Sequence, residues 1–316
     1  MSARRIVLLA PQRETPTVAT AVAELDVEGP LAVVTAGWEE RESEDTELRE
    51  HLGRPVVSLG LWPRAEDLFH ADGEVRKLLY ERYDRLRELQ ELYRLRLSPL
   101  LESCRALMGR TDPARPDALY GPEIDDAMDA VRRLDAHHLE RTVQLDDEIF
   151  GRVDAARRPS LARDRAELAQ TLERCGAVLI AGGHVGILLN RLRLFGVLEL
   201  SGQKPIVAWS GGAMVLSERV VLFHDSPPQG PGDPEVYARG MGLVHGVVPL
   251  PHALHRLQLD DPARVALFAR RFAPDLCVPL DGGERLVGAS DSASWTLLGA
   301  ARRLTPSGQV LAGAAP

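Results

Sequence analysis

Short apolar runs punctuate the first sixty positions, with amphipathic stretches between them. Ile6–Ala10, Leu31–Thr35 and Val56–Leu59 have the length and continuity of strands buried on both faces. Val18–Leu25 and Thr46–Leu52 carry apolar residues at helical spacing. Short continuous strands alternating with helices predict a parallel sheet with helices on both faces. From about Glu66 to Arg158 the strands vanish. Glu74–Met108 is rich in Leu, Arg, Glu and Tyr, with Leu78, Leu79, Tyr83, Leu86, Leu89, Leu92 and Tyr93 at three- and four-residue steps on one helical face. Pro113 and Pro116 break the pattern, and Pro122 opens a second helical stretch over Glu123–Val153.

The alternation then resumes. Leu161–Leu172, Val185–Leu198 and Pro262–Phe272 read as helices. Ala177–Ala181, Pro205–Ala208, Val220–Phe223, Val247–Leu250, Cys277–Leu280 and Leu286–Gly288 read as strands. Four prolines and two glycines make Ser226–Pro234 a surface loop. The expectation is one α/β domain over 1–316, a doubly wound and mostly parallel sheet, with residues 66–158 inserted as a helical hairpin. That hairpin would act as a lid or as an oligomerisation element.

Composition narrows the function classes. Thirty-eight basic residues against forty-six acidic ones leave a formal charge of −8, and only 5% of residues are aromatic. Neither a polyanion-binding surface nor a base-stacking platform is expected, so no nucleic-acid partner is. Cys104, Cys175 and Cys277 lack a framework spacing and are expected to be buried, reduced thiols. The apolar start at Ile6 is shorter than a signal peptide's core, and no run of about 20 apolar residues follows. A cytoplasmic protein without a membrane partner is the expectation.

The candidate chemistry lies at strand ends. In Ala208-Trp209-Ser210-Gly211-Gly212-Ala213 a serine flanked by tiny residues follows an apolar strand and leads into a helix. Such a turn can hold the hydroxyl above a sheet as a nucleophile, and it can equally be a tight turn without chemistry. Ala181-Gly182-Gly183-His184 also joins strand to helix, so its amides can face an anion or simply make the connection. It matches neither a dinucleotide fingerprint nor a Walker loop, and no cofactor is expected. His252 follows a strand at the edge where open α/β sheets bind ligands, with His255 close by. His224 and His245 lie near other strand ends, and Asp225 and Asp281 each follow a strand from which a carboxylate can orient a histidine. His137-His138 and Asp146-Asp147-Glu148 have ligand-like spacing, but a solvated charged face is the expectation and no metal site is assigned.

Taken together, Gly182-Gly183-His184, Ala208-Trp209-Ser210-Gly211-Gly212-Ala213 and Pro251-His252-Ala253 resemble the three motifs of the dipeptidase E and cyanophycinase group of serine peptidases. The resemblance covers Arg163 to Leu298, Ile6–Leu61 loosely, and not the insertion. It implies a class I glutamine amidotransferase-like fold, flavodoxin-like in layout, and a hydrolase acting on a small peptide-like substrate. Carried over, Ser210 is the nucleophile, His252 the general base, and the amides of Gly183 and Gly211 the oxyanion hole. Asp225 is the implied acid, with Asp281 the alternative. His184, Trp209 and Arg256 fall at substrate-binding positions. His184, Gly211 and Ala253 depart from the family pattern, which bears on the substrate more than on the chemistry. An amidotransferase would place a cysteine at the elbow, and none stands there. The alternative from another class is a non-catalytic member that works through its insertion, as a homodimer or by docking a partner.

Overall fold

The computed structural model of the chain describes residues 3–110, 119–223, 233–292 and 294–312. Its strands are β1 (Arg5–Leu9), β2 (Leu31–Val34), β3 (Val56–Ser58), β4 (Ala177–Ile180), β5 (Ile206–Trp209), β6 (Arg219–Leu222), β7 (Glu235–Arg239), β8 (Val247–Pro251), β9 (Leu276–Leu280), β10 (Arg285–Ala289), β11 (Thr296–Leu298), β12 (Arg302–Leu304) and β13 (Val310–Ala312). The helices are α1 (Val18–Ala23), α2 (Thr46–Leu52), α3 (Leu61–Ala71), α4 (Gly73–Met108), α5 (Tyr120–Val153), α6 (Pro159–Arg174), α7 (Val185–Phe195), α8 (Val197–Leu200), α9 (Gly211–Leu216), α10 (Ala253–Arg256) and α11 (Pro262–Phe272).

Seven strands form the main sheet in the order β11-β10-β1-β5-β4-β2-β3. The five from β1 to β3 are parallel, and β10 and β11 close one edge antiparallel. Strands β1, β2, β4 and β5 are buried on both faces, which is why they read as unbroken apolar runs, whereas β3 at the edge is half-buried throughout. Val7, Leu9, Val33 and Leu179 pack toward α1 and α2 on one face. Ile6, Leu8, Val34 and Ile180 join the larger core on the other. The chain is therefore α/β with helices on both faces of a mostly parallel sheet. Three two-stranded pairs lie outside that sheet: β6-β7, β8-β9 and β12-β13. The apolar runs at Val220 and Val247 gave no sign of this, because strand pairing is a tertiary choice.

The helical segment folds back on its own domain. α4 and α5 lie along each other, and α5 also packs on β7 and α11. Its seam runs through Leu78, Arg82, Leu86, Gln90, Tyr93, Leu97, Leu101 and Cys104. Tyr83 and Leu92, expected on that face, are each 59% exposed. Arg82 and Gln90 take the inward positions because remote partners satisfy them. Asp146 accepts from Arg82 Nε at 2.6 Å and from Arg193 of α7. Asp135 accepts from Arg271 Nε at 2.7 Å and from the Tyr93 hydroxyl at 2.7 Å.

His138 and Asp146 are therefore buried, not part of a solvated face, whereas His137, Asp147 and Glu148 are exposed. His138 stacks on Tyr93 and meets Gln90 Oε1 at 3.0 Å. Buried ions hold only when paired and hydrogen-bonded, and here both conditions are met. The expected helix Val185–Leu198 is broken at Gly196, whose left-handed φ of 64° ends α7 before α8 begins. Among the described residues, no helix is long and apolar enough to cross a membrane.

Candidate active site

The carboxyl ends of β5, β4 and β2 bring three turns into contact. Ser210 stands between β5 and α9 with φ 52° and ψ −126°, a conformation that L residues rarely adopt. Its carbonyl accepts from the amides of Ala213 and Met214, so the strained residue is locked as the first turn of α9. Beside it runs Gly182-Gly183. A β-carbon on Gly182 would stand 2.8 Å from Ser210 Cβ and 2.8 Å from the Gly211 nitrogen, so only glycine admits the serine there. Gly183 has φ 112° and lies against the Gly37 carbonyl, which accepts the His184 amide at 2.7 Å. The amides of Gly183 and Gly211 have no backbone acceptor among the described residues. Sequence reading missed Gly37, because nothing in Thr35-Ala36-Gly37 marks it as a neighbour of residues 145 positions later.

His184 caps α7, its Nδ1 accepting the Ile187 amide at 3.2 Å. Trp209 sits elsewhere than a substrate contact would: it is 6% exposed and packed in the α1–α2 core. The cause is strand alternation, which turns residue 209 to the face opposite Ala208.

His252 follows β8 in the left-handed region, φ 60° and ψ 31°, and its amide donates to the Leu280 carbonyl at 3.1 Å. Its ring makes no hydrogen bond to Ser210 or to a carboxylate among the described residues. Burial holds its pKa below the ordinary histidine value, helped by the positive Arg256 and by His255 and opposed by Glu14. Glu14 follows β1, whose Leu9 pairs with Trp209 next to the serine, so the loop after β1 links the two halves of the edge. This carboxylate was also missed, since a lone Glu in a Pro-Thr loop carries no signal. Arg256 is half-buried and desolvated, with no ion pair among the described residues.

Asp281 does not meet His252. Its Oδ1 accepts the Leu254 amide at 2.9 Å, and its Oδ2 lies 3.6 Å from Arg302. Burial raises its pKa. It fixes α10, the turn that follows His252. Asp225 and His224 lie outside the described residues. Among those described, no group of three or more His, Cys, Asp or Glu is placed to hold a metal ion.

No family model matches the chain, and no curated protein matches it. Two of the solved structures that are similar in shape are the following. One is a peptidase from an acI-B1 Actinobacterium, at 12% identity and TM-score 0.49, covering 98% of this chain and 97% of its own. The other is a candidate Peptidase E protein from Listeria monocytogenes EGD-e, at 10% identity and TM-score 0.44, covering 94% of this chain and 100% of its own.

Proposed function

We propose that the carboxyl edge of the sheet is a serine hydrolase centre that cleaves a small peptide-like substrate. The observation that carries this reading is the strained Ser210 held against a glycine turn, with two backbone amides left without backbone acceptors beside it. Strain of this kind costs about 1–3 kcal/mol and persists where the surroundings enforce it. In the proposed reaction Ser210 Oγ attacks the scissile carbonyl carbon while His252 takes the hydroxyl proton. The amides of Gly183 and Gly211 hold the oxyanion. The C–N bond then breaks, His252 returns the proton to the leaving amine, and water resolves the acyl-enzyme to a carboxylic acid.

Asp225 is the proposed acid of the triad, and Asp281, whose Oδ1 holds α10, is the alternative. His184 and Arg256 flank the centre as substrate contacts, and Arg256 is the cation available to an acidic group. An unlinked His252 ring is compatible with this role, since catalytic hydrogen bonds often tighten only when substrate binds.

The test is intact-protein mass after exposure to a broad serine-reactive phosphonate. Stoichiometric labelling that Ser210→Ala and His252→Ala both abolish is the expected result. Folded protein that takes no label overturns the proposal.

A further inference from the structure

Beyond the catalytic residues, a second wall stands beside the glycine turn, and the helical insertion buttresses it. Tyr237 lies on β7, under α5, with its neighbours Val236 and Ala238 buried in the core. Its own side chain, half-buried against the margin of that core, reaches the first turn of α7. A β-carbon on Gly186, in the first turn of α7, would stand 2.7 Å from the Tyr237 hydroxyl and 3.4 Å from His184 Cε1. The phenol and the imidazole therefore meet above one glycine, two residues from His184 and three from Gly183. A larger residue at 186 would separate them.

The hydroxyl of Tyr237 makes no hydrogen bond among the described residues, although the residue is half-buried and burial raises its pKa. Tyrosine hydroxyls in such surroundings ordinarily find a partner. On the imidazole, Nδ1 is occupied by the Ile187 amide, so the neutral ring carries its proton on Nε2. Two side-chain donors thus stand over the first turn of α7, the helix that leaves the glycine turn beside Ser210, and neither has an acceptor there among the described residues. Arg82, Asp146 and Arg193, with the exposed Tyr83, lie within electrostatic reach of Tyr237.

We infer that Tyr237, with His184 across Gly186, forms a specificity subsite that takes a backbone carbonyl of a peptide one or more residues away from the scissile bond. This rests on the serine hydrolase reading and adds a role for the insertion: it holds β7, and so the Tyr237 hydroxyl, over the substrate. The chemistry selects acceptors without demanding charge, so a peptide longer than a single acyl residue gains from it.

Reversible boronic acids test this without a known substrate, because they add to an activated serine and their affinity is read as protection from phosphonate labelling. The comparison is acetamidomethylboronic acid against the same warhead extended by one and two further peptide units. In the unaltered protein, extension is expected to tighten binding. In Tyr237→Phe, which removes one oxygen and keeps the ring, that gain should shrink about three- to tenfold, the worth of one hydrogen bond. Gly186→Ala, which displaces the hydroxyl, should act in the same direction. Equal gains in all three proteins, or no gain from extension in the unaltered one, overturn the inference while the hydrolase reading stands. Failure of the phosphonate to label the unaltered protein overturns the hydrolase reading, and the subsite with it.

Discussion

A β-carbon built on Gly182 would lie 2.9 Å from Oγ of Ser210, so the serine hydroxyl occupies the space that any other residue at 182 would fill. The position of the proposed nucleophile thus depends on a glycine that belongs to a different strand end. Gly182→Ala is expected to push the hydroxyl aside and slow phosphonate labelling about a hundredfold, the scale of a 1 Å misplacement at a reacting centre. The circular dichroism spectrum should be unchanged. Labelling at the original rate would show that Ser210 does not act from this position.

The electrostatics of His252 fix the direction of a pH effect. A base reacts when unprotonated, and burial together with Arg256 and His255 disfavours its protonated form. The acid limb of the labelling rate should therefore lie below pH 6.5, the ordinary histidine value. Arg256→Gln removes a cation and should move the limb to higher pH. Glu14→Gln removes the opposing anion and should move it lower. Rate profiles from pH 4 to 9 for the three proteins check both signs, and shifts in the same direction would refute the assignment.

Asp146 of α5 joins Arg82 of α4 to Arg193 of α7, so one carboxylate ties the helical hairpin to the helix that leaves the glycine turn. Removing it strands the buried Arg82 guanidinium and leaves the half-buried Arg193 with only backbone carbonyls. Asp146→Ala is expected to cost about 3–5 kcal/mol, read from the midpoint of urea unfolding. A loss under 1 kcal/mol would mean that the hairpin is held chiefly by its apolar seam.

All three cysteines are buried, and burial raises each thiol pKa, most of all at Cys277. A thiol-disulfide reagent at pH 7.5 should leave the folded protein untouched and modify all three once it is unfolded. Rapid reaction of any one in the native state would reopen the question of a cysteine nucleophile.

The sheet was legible because its strands are short, apolar and buried on both faces, as Leu31–Val34 and Ala177–Ile180 are. The glycine turn and the serine elbow were legible as local motifs. What escaped was set by distant partners. Arg82 and Gln90 look like surface residues until Asp146 and Glu235 are placed beside them. Trp209 was implied as a substrate contact by the family resemblance, yet side chains alternate along a strand and residue 209 turns into the core. Tyr237 lies in a stretch to which the sequence pattern assigned no element, and its meaning depends on Gly186 fifty-one positions earlier.

The place of β1 bears on how the molecule is made. Val7 pairs with Val207 on one side and Val287 on the other, so β1 finds its neighbours only once segments far along the chain are in place. Until then its Ile-Val-Leu-Leu edge is open to other chains. The α4–α5 hairpin, whose two helices are adjacent in sequence, closes far sooner at little entropic cost. The hairpin thus forms ahead of the sheet, and the sheet that carries Ser210 is completed only when segments far apart in the chain have met.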